Sequence, residues 1–211
     1  TLEPVDGLAG NELFEQYVAG HGLGDQHVLE FVDGGMDHSV ADFVQRHVRH
    51  DSVFAELIPK AVAGFRQVAD VDARNLRVWL LDNAQAEQQM GKATGTFAPK
   101  RGIIRLRTWT TCTDDMIPWK VLRTLMFELC NAVNSKDLVS TFSIVDKNEM
   151  VRAIQAVETR TVSAATQYLS KAINECAWPA YLMRDYTYSK DMPKTKHTET
   201  TLDLISRAAK T

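Results

Sequence analysis

The chain has 211 residues, 45 % of them hydrophobic and 24 % charged, which suits a globular protein with one large core and no need of covalent staples. Its formal charge of -3 argues against general nucleic-acid affinity, which calls for a basic surface, and no apolar run reaches the ~18–20 residues that span a bilayer. Cys112, Cys130 and Cys176 form no CxxC pair, and an odd count leaves at least one thiol free in a monomer; a reducing compartment such as the cytoplasm fits best, with one disulfide still compatible.

The chain starts at Thr1 without a methionine, as a processed product or an excised piece would, and no signal-type apolar segment follows. Residues 1–35 carry seven glycines around a short helical pattern at Leu13, Phe14, Tyr17 and Val18. Gly20-His21-Gly22-Leu23-Gly24 lacks the spacing of a phosphate loop and reads as a flexible link. Residues 28–32 fit a strand or a helical turn. A helix is expected over 37–50, with Val40, Phe43, Val44 and Val48 on one side. His47 and His50, three apart, would suit a shared metal, but solvated helix ends explain them more simply.

A stronger helix is expected over 52–70, with Pro59 marking a kink or a new start. Residues 76–81 read as a central strand, and 82–92 as a link with a helical turn near Ala84 to Met90. The stretch 94–135 organises the rest. Gly95 and the run Ala98-Pro99-Lys100-Arg101-Gly102 supply turn chemistry for a short hairpin or strand pair, with a strand over 102–109. Arg105 and Arg107, two apart, share one face of that strand. They would either recognise an acidic partner or blunt an edge strand, and the second reading is the simpler. A long helix follows Asp114-Asp115 with Pro118 in its first turn, and Ile117, Val121, Leu125, Leu129 and Val133 make a buried stripe.

Residues 138–145 (LVSTFSIV) are strand-like or a short packed loop. Asp146 to Glu149 fits a capping box, opening a helix to about Cys176, with a Thr/Ser/Val-rich middle that invites a bend. Pro179 stops it. Residues 186–201 read as an exposed arm, and 202–209 as a last short helix. The expected organisation is an N-terminal helical and loop segment (1–50) packed on a core (51–185), followed by an arm and short helix (186–211). The fold class is α+β, mainly helical, with a small mixed sheet from 76–81, 102–109 and 138–145 packed by two long helices.

The order of a glycine, an aromatic residue, a turn and a strand leading into the helix with Phe127-Glu128-Leu129-Cys130-Asn131 resembles the core of zincin metallopeptidases over about 40 residues. The family carries HExxH on that helix. By this resemblance Glu128 stands at the general base, while Phe127 and Asn131 replace the two imidazoles that hold zinc one helical turn apart. The resemblance then implies a zincin-like scaffold without a competent metal site and without a cofactor, acting as a protein-binding module. Related domains occur among bacterial secreted effectors and toxin-associated proteins, so a secreted effector is the other expected setting. Two readings from other classes stand beside it: a metal-dependent hydrolase using Glu128, and a small-ligand-binding or structural domain.

The residues themselves leave simpler explanations open. Glu128 shares a helix face with Thr124 and Asn131, and Asn134 borders the stripe, so a Glu–Asn cluster either joins helix to sheet or lines a pocket for a polar ligand. Glu149 and Glu158 are candidates for a third ligand, the first more simply a cap and the second a solvated position. Cys130, with a base from His197 or the N-terminal histidines, would be a nucleophile, but a mid-helix cysteine is more often a packed small residue. Cys112 is the better-placed thiol, with no base near it in sequence. Trp109, Trp119 and Trp178 form either a recognition patch or packing.

Overall fold

The computed structural model describes residues 29–33, 38–71, 73, 75–108 and 116–183. Strand β1 (Leu29–Asp33) is followed by helices α1 (His38–His50) and α2 (Ser52–Arg66), then by strand β2 (Leu76–Leu81). β1 and β2 run parallel, with Leu29 opposite Leu76, so a crossover must return the chain to the starting end; α1 and α2 make it. Helix α3 (Asn83–Met90), strand β3 (Gly95–Ala98) and strand β4 (Ile103–Arg107) come next. β4 joins β2 in parallel, and β3 folds back antiparallel on β4 through the Pro99–Gly102 turn, giving the sheet order β1-β2-β4-β3. Gly102 sits at φ 62°, where a side chain would also strike the Phe65 ring.

Helix α4 (Ile117–Val133), the short helix α5 (Ser135–Thr141) and helix α6 (Lys147–Glu175) follow, with a 3-10 turn at Ala180–Met183. The fold is α+β and mainly helical, with a four-stranded mixed sheet. One sheet face carries the core: Val78, Leu80, Ile104 and Leu106 meet Phe54, Phe65, Leu122, Leu125 and Leu129 from α2 and α4. The other face is covered by α3, where Leu81, Ala86 and Met90 form a small second cluster with Trp79 and Ala93 against it.

Most helices follow their sequence pattern. Ile117, Val121, Leu125 and Leu129 are buried as one stripe; Val133, at the helix end, is partly exposed. Pro59 lies inside α2 without ending it, and α6 is one helix through its Thr/Ser/Val-rich middle. Asp146 caps α6 by accepting from the Glu149 N–H at 2.8 Å.

Two expectations for the sheet are corrected. Residues 138–145 do not form a strand: Ser135–Thr141 is helical and a turn follows. The hydroxyls explain it. Ser135 donates to the Ala132 carbonyl, Ser140 to Asp137 and Thr141 to Leu138, each three residues back, which a helix satisfies and a strand does not. Phe142 and Val145 are exposed, so no core was waiting for a strand's apolar face. The outer strands are instead Leu29–Asp33 and Gly95–Ala98.

Arg105 and Arg107 are corrected as well. β4 lies between β2 and β3, so these arginines blunt no edge. They lie on the face covered by α3. Arg107 donates to the Gly91 and Ala93 carbonyls and meets Glu87, and Arg105 donates to Gln89 at 3.2 Å and lies over the Trp79 ring. Burial lowers the Arg105 pKa. Their charge serves to fasten α3 to the sheet.

Candidate functional site around Glu128 and strand β3

Glu128 is the one charged residue among the buried side chains described, at 5 % exposure. It projects from α4 toward β3, where Gly95 leaves room for it. A Cβ at Gly95 would stand 3.0 Å from Glu128 Oε1 and 2.5 Å from the Thr124 methyl, so the strand and α4 approach this closely only because residue 95 has no side chain. Asn131, one turn on, donates from Nδ2 to Glu128 Oε2 at 2.9 Å. The Thr124 hydroxyl is turned to its own helix, donating to the Lys120 carbonyl at 2.8 Å, which leaves its methyl facing Gly95.

Burial pushes the Glu128 carboxyl up to about 7; the Asn131 hydrogen bond opposes that and the negative charge of Glu158 on α6 adds to it. At neutral pH the group therefore exists in both forms, able to accept hydrogen bonds or to donate one.

The neighbouring strand is short, but its main chain is informative. Arg107 N–H donates to the Thr94 carbonyl, and Gly95 lies opposite Leu106. The antiparallel alternation then turns Thr96 toward β4 and points the N–H and C=O of Gly95 and Phe97 outward. Among the described residues, β3 pairs with β4 alone. Glu128 thus lies against the face of Gly95, a residue whose main-chain groups point away from β4.

Sequence reasoning places Glu128, Asn131 and Thr124 together, and the structure brings them together; Glu158 comes near enough to act on Glu128 electrostatically. Asn134 faces elsewhere, donating to Thr161 Oγ1 on α6 at 3.1 Å, and Arg105 and Arg107 lie on the opposite sheet face. The sequence pattern marks Gly95 as turn chemistry, and the structure places it against Glu128 and Thr124 instead. The signal for it was a glycine heading an otherwise strand-forming Thr-Phe pair, which marks a close backbone approach.

Neither position flanking Glu128 holds an imidazole, and no group of three or more His, Cys, Asp or Glu suited to a metal occurs among the described residues. His47 is engaged otherwise: its Nδ1 meets Asp51 Oδ2 at 2.9 Å, and its ring lies 4.5 Å from Phe43 and 4.8 Å from Trp119. His50 is exposed, and Cys130 is buried with its thiol pushed up to about 12, first by burial and then by Glu128, so it stays protonated. Trp119 and Trp178 pack edge to face at 5.7 Å. Trp109, Cys112, His197, the 20–24 glycine segment and the arm at 186–201 lie outside the described residues.

No family model matches the chain, and no curated protein and no solved structure is significantly similar to it. No described helix is long and apolar enough to cross a membrane.

Proposed function

We propose that the chain is a zincin-like domain without a competent metal site that binds proteins, taking an extended segment of its partner along β3. The observation that carries this reading is the pairing of a buried carboxyl with an edge strand: Glu128 lies against Gly95, whose N–H and C=O face away from β4. An edge strand offers a ready-made ladder to an incoming chain, which gains main-chain hydrogen bonds and takes its specificity from adjacent side-chain pockets. A carboxyl near neutrality can meet either a donor or an acceptor on that chain. Phe127 and Asn131 supply no imidazole pair for zinc, which favours binding over metal-assisted hydrolysis.

Selection from a displayed library of extended peptides tests it. Selected peptides should protect the Gly95 and Phe97 amides from hydrogen exchange and lose about tenfold or more in affinity on Gly95→Ala. Binders that protect other amides and ignore Gly95→Ala would sink the strand-addition reading. The Glu128–Glu158 proximity supports a second reading, a metal-dependent hydrolase, and about one equivalent of bound transition metal in untagged protein would put it first.

A further inference from the structure

We propose that β3 selects a basic partner: the extended segment added to it carries a lysine or arginine opposite Gly95 and an apolar residue opposite Phe97. This rests on the strand-addition reading and names the chemistry of the chain that is added. In an antiparallel addition, Gly95 and Phe97, whose main-chain groups point away from β4, each exchange hydrogen bonds with the residue opposite. Residues opposite one another carry their side chains on the same face, with Cβ atoms about 4.5–5.5 Å apart. For Gly95 that face is the one where Glu128 and Thr124 lie, and Phe97 packs against the core on the same side. The partner residue opposite Gly95 therefore projects beside Glu128, and Gly95 puts no side chain between them. A lysine or arginine stem is long enough to cross that gap. Phe97 offers a cross-strand neighbour to a β-branched or aromatic residue. Because the two strands run in opposite directions, the apolar residue precedes the basic one by two positions.

The charge follows from what surrounds the carboxyl. Glu128 Oε2 accepts from Asn131 at 2.9 Å, while Oε1, the oxygen turned to Gly95, accepts no hydrogen bond among the described residues. The charge acting on the group is that of Glu158 on α6, which is also negative. The nearby cations are engaged elsewhere. Arg123 stands about 140° round α4 from Glu128 and donates to the Leu182 carbonyl. Arg105 and Arg107 lie on the other face of the sheet, fastened to α3. A buried carboxylate without a cation is costly, and a charge-assisted hydrogen bond is what relieves it. A basic side chain from the partner supplies that bond to Oε1. An acidic one would add a third negative charge beside Glu128 and Glu158.

Synthetic peptides that differ at one position test it, with valine placed two residues before a lysine, a glutamine or a glutamate. Binding to the full chain is read by fluorescence anisotropy at a pH above about 7, where Glu128 is mostly ionised, and hydrogen exchange at the Gly95 and Phe97 amides is followed alongside. The lysine peptide should bind about tenfold more tightly than the glutamine peptide, as expected for a charge-assisted hydrogen bond, and the glutamate peptide more weakly than both. Glu128→Gln should erase the difference between the lysine and glutamine peptides, and circular dichroism checks that the variant keeps its helices. If all the peptides protect the Gly95 and Phe97 amides yet bind the parent equally, the basic preference is overturned while strand addition stands. If lysine is preferred but Glu128→Gln leaves that preference intact, the assignment to Glu128 is overturned. If no peptide protects those amides, strand addition fails and this inference fails with it.

Discussion

Glu128 holds its proton further up the pH scale than a solvated glutamate because α4 and β3 close over it. The consequence for stability has a definite sign. Its folded pKa, about 7, lies above the ordinary 4.5, so the folded state binds the proton more tightly than the unfolded state does. The stabilisation is fully present below about 4.5 and is lost as pH rises through about 7. The size is on the order of 3 kcal/mol for a shift of that extent. Glu128→Gln keeps an oxygen for Asn131 and carries no charge. Denaturant melts of parent and variant from pH 4 to 8 should therefore diverge, the variant becoming the more stable as pH rises. Parallel curves would mean that the carboxyl is solvated. Gly95→Ala tests the same place from the strand. The new methyl meets Thr124 and Glu128 side chains rather than backbone, so the cost should be about 1–3 kcal/mol, read as a lower melting midpoint. How legible these residues were differs by cause. Glu128, Thr124 and Asn131 were visible because one helix face holds them at fixed spacing. Gly95 was not, because its role depends on which element passes above it.

Between elements, α2 and α4 approach closely at Gly64. A methyl at Gly64 would stand 2.5 Å from the carbonyl oxygens of Ala132 and Val133, which are backbone and cannot turn aside. Gly64→Ala should therefore cost about 1–3 kcal/mol, occasionally more, visible as a lower denaturation midpoint with the slope unchanged. α2 is tied to α6 by Glu56, whose carboxyl is held down at about 2, first by the hydrogen bond from Lys171 and then by that from Lys60. Because the carboxylate is a good third exposed, solvent screens it, and Glu56→Gln should cost only about 1 kcal/mol at neutral pH. That contribution is present above about 4.5 and fades as pH falls toward 2, and it should shrink in high salt.

The helices were legible from the sequence because each buries a stripe at helical spacing, and a core face repeats along α2 and α4 for several turns. Strands were harder. β3 has four residues, all partly buried, so no alternation of buried and exposed positions marks it. Residues 138–145 misled because Val, Thr and Ile favour strands in general, while serine and threonine hydroxyls bonding three residues back favoured a helical turn in this one place.

At the scale of the whole molecule, a parallel β1-β2-β4 sheet with one antiparallel outer strand places a long helix directly over that strand, and Glu128 is where the two meet. The zincin resemblance rests on the order of glycine, aromatic residue, turn, strand and helix and on one glutamate, while Phe127 and Asn131 stand where that family carries histidines. If the domain works by binding alone, an equivalent of zinc should leave its melting midpoint unchanged, since a ligand stabilises only what it binds in the folded state. A rise of several degrees, abolished by Glu128→Gln, would move the protein to the hydrolase reading.

The chain after α6 turns sharply at Ala177, φ 56°, and sets Trp178 against Trp119 with its indole N–H donating to Asp51 at 2.6 Å. Two indoles 5.7 Å apart and 62° from parallel are close enough to share an electronic excitation. The pair should therefore act as an optical gauge, giving an exciton couplet in circular dichroism that belongs to neither tryptophan singly. Trp178→Phe should erase that couplet while leaving the helical bands, and gentle heating should dim it first if the turn after α6 lets go before the helices melt.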